Sequence, residues 1–141
     1  MDIRQVTPDY AVTPQIAVED VPAIAQAGFV RVICNRPDAE VPPSHQADAI
    51  RAAVEAAGLS FEALPLTHQT MTPENIARHK ALAEGAEGKV LAYCASGTRS
   101  TVIWALGQAG AQPVDEILGT AARAGYDLGG LRPRLEEMSE G

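Results

Sequence analysis

Cys94 stands three residues before Gly97 and five before Arg99, in the run Tyr93-Cys-Ala-Ser-Gly-Thr-Arg-Ser. A thiol, a glycine and a guanidinium at that spacing suit nucleophilic transfer of a group from a small anionic substrate. If Cys94 closes a strand and Arg99 opens a helix, the loop between them aims its backbone N–H groups at one point, where the helix N-terminus adds positive potential. Gly97 supplies the φ > 0 freedom of such a nest, and Arg99 can close over a bound anion with a two-pronged fork. The same field favours Cys94 as a thiolate at neutral pH. Ala95, Ser96, Gly97 and Thr98 therefore read as an anion-binding loop with Cys94 as its nucleophile. Taken alone, Cys94 would read as a buried structural thiol. Arg99 changes that balance, because an arginine in a first helical turn opposes the dipole unless an anion offsets it.

The elements that must hold this loop flank it. Val90 to Tyr93 is a short apolar run of β-type residues, and between Ser100 and Ala109 the residues Val102, Ile103, Leu106 and Ala109 fall on helical spacing. Phe29-Val-Arg-Val-Ile-Cys has the continuous apolar character of a central buried strand. Asn35, Arg36, Asp38 and Glu40 follow it, at the end of a parallel sheet where active sites lie. Arg36 reads equally as a substrate-facing cation or as one half of an ion pair with Asp38 or Glu40. Cys34 reads as a small core residue, with a second thiol near the site as the alternative. Leu59 to Leu66 alternates as a further strand, and His68 sits in the loop after it.

Helices are predicted from Glu19 or Asp20 to Gly28, from Ala47 to Ala57 with Ser44 as N-cap, and from Thr72, where Thr-Pro-Glu makes a capped acidic first turn. Another opens at Gln112-Pro-Val-Asp-Glu and runs toward Gly125. The tail from Leu131 to Met138 reads as a solvated terminal helix. Met1 to Val6 reads as a loose lead-in, and Tyr10-Ala-Val and Gln15-Ile-Ala, broken by Pro8 and Pro14, as edge strands or extended loop. Tyr93 and Trp104 read as core packing. Helix, glycine and strand recur as a βαβ rhythm, so the expected class is α/β with a mostly parallel central sheet flanked by helices.

The 141 residues, 46% apolar, suit a single domain over 1–141. A net charge of −7 without a basic stripe argues against nucleic acid. No apolar run has membrane-spanning length and no basic-then-apolar leader opens the chain, so the expected setting is the cytosol, away from membranes. Two distant cysteines and three scattered histidines offer no metal-ligand spacing. No metal and no cofactor is predicted; the partner is a small anionic substrate.

Asn35-Arg-Pro-Asp-Ala-Glu, the Pro65 stretch, Tyr93-Cys-Ala-Ser-Gly-Thr-Arg-Ser, Trp104-Ala-Leu and Ala124-Gly-Tyr-Asp-Leu together resemble the phosphatase-like domain at the N-terminus of beta-lactamase-hydrolase-like proteins, a family also described as sulfur transferases. The resemblance covers roughly the whole chain and implies a dual-specificity-phosphatase-like fold, here without the metallo-hydrolase domain of longer relatives. It leaves two chemistries in competition. Cysteine-dependent phosphatases of this kind carry five residues between cysteine and arginine and an aspartate general acid on the loop after the preceding strand. Here four residues separate Cys94 from Arg99, as in rhodaneses, and Leu66-Thr-His-Gln-Thr-Met contains no aspartate. An ester whose leaving group departs unprotonated forfeits about 10²–10⁴-fold in rate. His68, or Asp38 from the neighbouring loop, could replace the acid.

The first expectation is a rhodanese-type sulfurtransferase with a persulfide on Cys94, in which Arg99 orients the sulfane-sulfur donor and Ser100 hydrogen-bonds the Cys94 sulfur. The alternative is a phosphomonoester hydrolase working through a phosphocysteine. A non-catalytic anion-binding module is the third reading. By family analogy, a persulfide-handling enzyme is the expected protein partner.

Overall fold

The computed structural model describes residues 1–140. Its centre is β5 (Lys89–Tyr93), which pairs in parallel with β2 (Tyr10–Thr13) on one side and β3 (Phe29–Cys34) on the other. Parallel β4 (Ser60–Ala63) extends the sheet beyond β3, and antiparallel β1 (Arg4–Thr7) closes the opposite edge beyond β2. Successive side chains of β5 point to opposite faces. Val90 and Ala92 join a core with Val12, Ile33, Ile103, Leu106, Ile117 and Leu135, whereas Leu91 and Tyr93 join Val32, Ile24, Ile50 and Val54 on the other side. That double burial explains the unbroken apolar run Val90 to Tyr93 of β5 and the buried end of β3 from Val32 to Cys34.

Helices α1 (Val21–Gln26) and α2 (Ala47–Ala56) cover one face; α3 (Pro73–Glu84), α4 (Thr98–Gln108), α5 (Val114–Arg123) and α6 (Arg132–Glu140) cover the other. Every residue of α4 from Ser100 to Leu106 is buried. A helix segment without charged side chains, such as Ser100 to Leu106, can be buried all round and occupy the centre of a layer. Here it aims its N-terminus at the end of β5. Thr72 caps α3 as its sequence predicts, its hydroxyl accepting from the Asn75 N–H at 3.2 Å.

Four local expectations fail. Residues 4–6 are not a lead-in but most of β1, because Val6 is buried and Pro8 falls in the tight turn to β2. Tyr10-Ala-Val is consequently interior rather than an edge, whereas Gln15-Ile-Ala takes the extended-loop alternative. Ser44 does not cap α2; Gln46 stands at the N-cap, and the Asp38 carboxylate, nine residues upstream, accepts from the Ala47 N–H at 2.8 Å. The terminal helix α6 is docked rather than solvated, with Leu135 fully buried. No helix among the described residues is long and apolar enough to cross a membrane.

Candidate active site

Cys94 follows the last residue of β5, and Gly97, with φ 93°, is the N-cap of α4. The left-handed backbone at Gly97 turns the chain back under the loop, so its own N–H reaches the Cys94 sulfur at 3.1 Å. The Thr101 hydroxyl, donating to the Gly97 carbonyl at 2.8 Å, fixes this turn from inside the helix. The loop carbonyls are held from outside: the Tyr126 hydroxyl donates to Ser96 O at 3.1 Å, and the Gln15 N–H to Ala95 O at 3.3 Å. The N–H groups of Ala95 and Ser96 keep no acceptor among the described residues, so the loop retains donors for an anion. Ala95 and Ser96 are exposed, whereas Cys94 beneath them is 0% exposed.

Arg99 lies where the spacing puts it, in the first turn of α4, but its fork is already engaged. Its two terminal nitrogens meet the Glu40 carboxylate at 2.9 and 2.6 Å, and one also donates to Leu66 O at 2.8 Å. Of the guanidinium's five donors, three are spent within the protein and two remain for a ligand. The hydrogen bonds from Arg99, outweighing partial burial and joined by Arg36, hold the Glu40 carboxyl below its ordinary value. Glu40 is the residue the sequence reading left out of the site. Its signal in the sequence is its place in the cluster after β3, where it reads only as a partner for Arg36. It is that partner, at 3.2 Å, and it carries Arg36 into the same charged group as Arg99.

The remaining expected residues separate. Ser100 does not reach the Cys94 sulfur: its hydroxyl points under the helix start and donates to Asn35 Oδ1 at 2.8 Å, because Asn35 closes that side of the loop. Asp38 accepts from the Ala47 N–H in the first turn of α2 and makes no bond to the Cys94 loop. His68 is exposed in the turn from Thr67 to Thr70 and makes no bond to the loop. A cavity of about 290 Å³ opens beside Cys34, Arg36, Asp38 and Pro65, adjoining the charged cluster. A larger one, about 330 Å³, lies between α3 and α4 and includes neither Cys94 nor Arg99.

A family model described as "Beta-lactamase hydrolase-like protein, phosphatase-like domain" matches residues 2–111. A beta-lactamase hydrolase-like protein of Xylella fastidiosa is 30% identical over 141 residues, which are 99% of this chain and 33% of that protein. The chain thus spans about a third of the length of the curated relatives it matches. A candidate phosphatase of Neisseria meningitidis, solved as a crystal structure, is 34% identical with a TM-score of 0.87, covering 98% of this chain and 99% of that one. The structure of Tk-PTP in its active form shares the fold at 18% identity, with a TM-score of 0.73 over 99% of this chain and 97% of its own. The expected phosphatase-like α/β fold is therefore the one present.

Proposed function

This chain belongs to the phosphatase-like domain family of the beta-lactamase hydrolase-like proteins, and from that premise we propose that Cys94 takes the sulfane sulfur of a small anionic donor as a persulfide and passes it to a nucleophilic acceptor. With thiosulfate as donor, the Cys94 thiolate attacks the outer sulfur, a new S–S bond forms to Cys94, and the bond to the inner sulfur breaks with its electron pair, releasing sulfite. An acceptor such as cyanide then attacks the outer sulfur of the persulfide, leaving as thiocyanate and regenerating the thiolate. Neither step requires a proton donor.

The observation that carries this reading is the absence, among the described residues, of an available acid at the loop. Asp38 is tied to the Ala47 N–H, Glu40 is held as a carboxylate by Arg99 and Arg36, and His68 stays outside. The short loop closed on a fully buried sulfur also suits a single sulfur atom better than a phosphoryl group with three oxygens. The two free guanidinium donors of Arg99 orient the donor's sulfonate end, while Glu40 keeps the fork from swinging over the sulfur.

Phosphomonoester hydrolysis through a phosphocysteine is the second reading, and kinship to phosphatase-like structures favours it over sulfur transfer. It requires aryl esters, whose leaving groups need little protonation. A paired assay separates the two: thiosulfate with cyanide in one arm and p-nitrophenyl phosphate in the other, each with wild type and Cys94→Ser. Cys94-dependent thiocyanate without phosphate release supports the proposal; Cys94-dependent phosphate release alone replaces it with the second reading. Turnover in neither arm leaves an anion-binding module. A persulfide-handling enzyme is the protein partner this reading proposes.

A further inference from the structure

Asn35, His79 and Tyr10 lie outside the chemistry just described, yet they form a buried polar cluster directly under the start of α4. Their exposures are 0%, 1% and 4%, and that of Ser100, which completes the cluster, is 0%. The Ser100 hydroxyl donates to Asn35 Oδ1 at 2.8 Å, and the Tyr10 hydroxyl donates to Ser100 O at 2.8 Å. With its one proton spent there, Tyr10 can only accept from His79 Nε2, 2.9 Å away. Nε2 therefore carries the imidazole proton, Nδ1 is bare, and Asn35 Nδ2 donates to it at 3.4 Å while also donating to Leu64 O at 3.0 Å. One assignment of protons satisfies every group. Reversing the Asn35 amide would set its oxygen against two acceptors, Leu64 O and the bare His79 Nδ1.

Asn35 grips the segment after β4 with its backbone as well, since its carbonyl accepts from the Leu66 N–H at 2.9 Å. Leu66 in turn offers its carbonyl to Arg99 at 2.8 Å. Asn35 thus sets Arg99 from two sides, through the neighbouring Ser100 and through the Leu66 carbonyl. We infer that Asn35 is the positioning residue for the Arg99 guanidinium, and that His79 and Tyr10 keep its side-chain amide in the one orientation that does so. The catalytic consequence rests on the proposed role of Cys94 and Arg99, whereas the placement of Arg99 does not. A guanidinium displaced by about 1 Å is expected to cost about 10²-fold in turnover.

The test uses Asn35→Ala, His79→Leu, His79→Gln and Tyr10→Phe, the last removing a single hydroxyl so that the series survives should a larger change prevent folding. Two readouts are followed: the Arg99 Nε–H resonance in protein carrying ¹⁵N-arginine, and kcat and KM for thiosulfate. The inference predicts a shifted or broadened Arg99 resonance and a fall in kcat in Asn35→Ala, His79→Leu and Tyr10→Phe, with alkylation of Cys94 by iodoacetamide nearly unchanged. Recovery is predicted in His79→Gln, whose amide offers both an acceptor and a donor. A folded Asn35→Ala or Tyr10→Phe protein with the wild-type Arg99 resonance and kcat overturns it. Were wild type to turn over neither thiosulfate nor p-nitrophenyl phosphate, the functional reading would fall and the Arg99 resonance alone would decide the positioning claim.

Discussion

Acid should unfold this protein in large part through one imidazole. Burial lowers the proton affinity of His79 from the ordinary 6.5 to about 4, and the proton pattern of its neighbours requires Nδ1 to stay bare. The unfolded chain therefore takes up a proton near pH 6.5 that the folded chain refuses until about pH 4. Stability is full above pH 6.5, falls as pH drops through that window, and loses nothing more from this group below it. At 1.36 kcal/mol per pH unit, the loss reaches about 3 kcal/mol at pH 4, a large part of a typical domain's stability. Among the described residues no carboxylate hydrogen-bonds the ring to offset it; Asp9, Lys80 and Glu84 line the neighbouring cavity with it. Urea unfolding of wild type and His79→Gln between pH 7 and pH 4 reads this directly, because other titrating groups contribute equally to both. Wild type should lose about 3 kcal/mol more than the variant across the interval. Parallel stability curves, together with a His79 ring that titrates near 6.5 by NMR, would refute the reasoning.

Glu40→Gln should leave thermal stability within about 1 kcal/mol, as expected for an ion pair that is partly exposed on its carboxylate side, while tightening inhibition by inorganic phosphate because the Arg99 fork is freed. Wild type should approach that tighter inhibition as pH falls through the lowered Glu40 value, where the carboxylate is protonated and releases Arg99; titrations of phosphate inhibition in both proteins test this. Gly97→Ala should destabilise by about 1–3 kcal/mol and abolish Cys94-dependent turnover, since its backbone is left-handed and the Tyr126 hydroxyl occupies the space a Cβ would take. Thermal unfolding and the thiocyanate assay measure the two effects. Tyr126→Phe removes the bond to Ser96 O and should cost about 1 kcal/mol in a chemical-denaturation experiment.

The loop was legible because three residue types with distinct physical requirements stood at fixed spacing between a strand and a helix. Gly97 is left-handed, Cys94 directly follows the strand and Arg99 lies in the first turn of the helix, as that pattern requires. The parallel sheet was legible from runs buried on both faces. What escaped depended on partners distant in sequence. Glu40 is 59 residues from Arg99 and Asn35 is 65 from Ser100, so no local pattern pairs them. His79 looked like one of three scattered histidines until the fold packed it between Asn35 and Tyr10. The first strand was missed because Arg4 and Gln5 are exposed and only Val6 marks the buried side. An edge strand, solvated along one side, lacks the apolar alternation that betrays an interior one.

The most direct test of persulfide chemistry at Cys94 is the intact mass of the purified protein after brief exposure to thiosulfate and removal of excess reagent. Sulfur transfer through Cys94 predicts a gain of one sulfur atom, located on the peptide containing Cys94, absent in Cys94→Ser and reversed by cyanide with release of thiocyanate. An unchanged mass in thiosulfate, with a phosphoryl adduct trapped on Cys94 from an aryl phosphate, would contradict it.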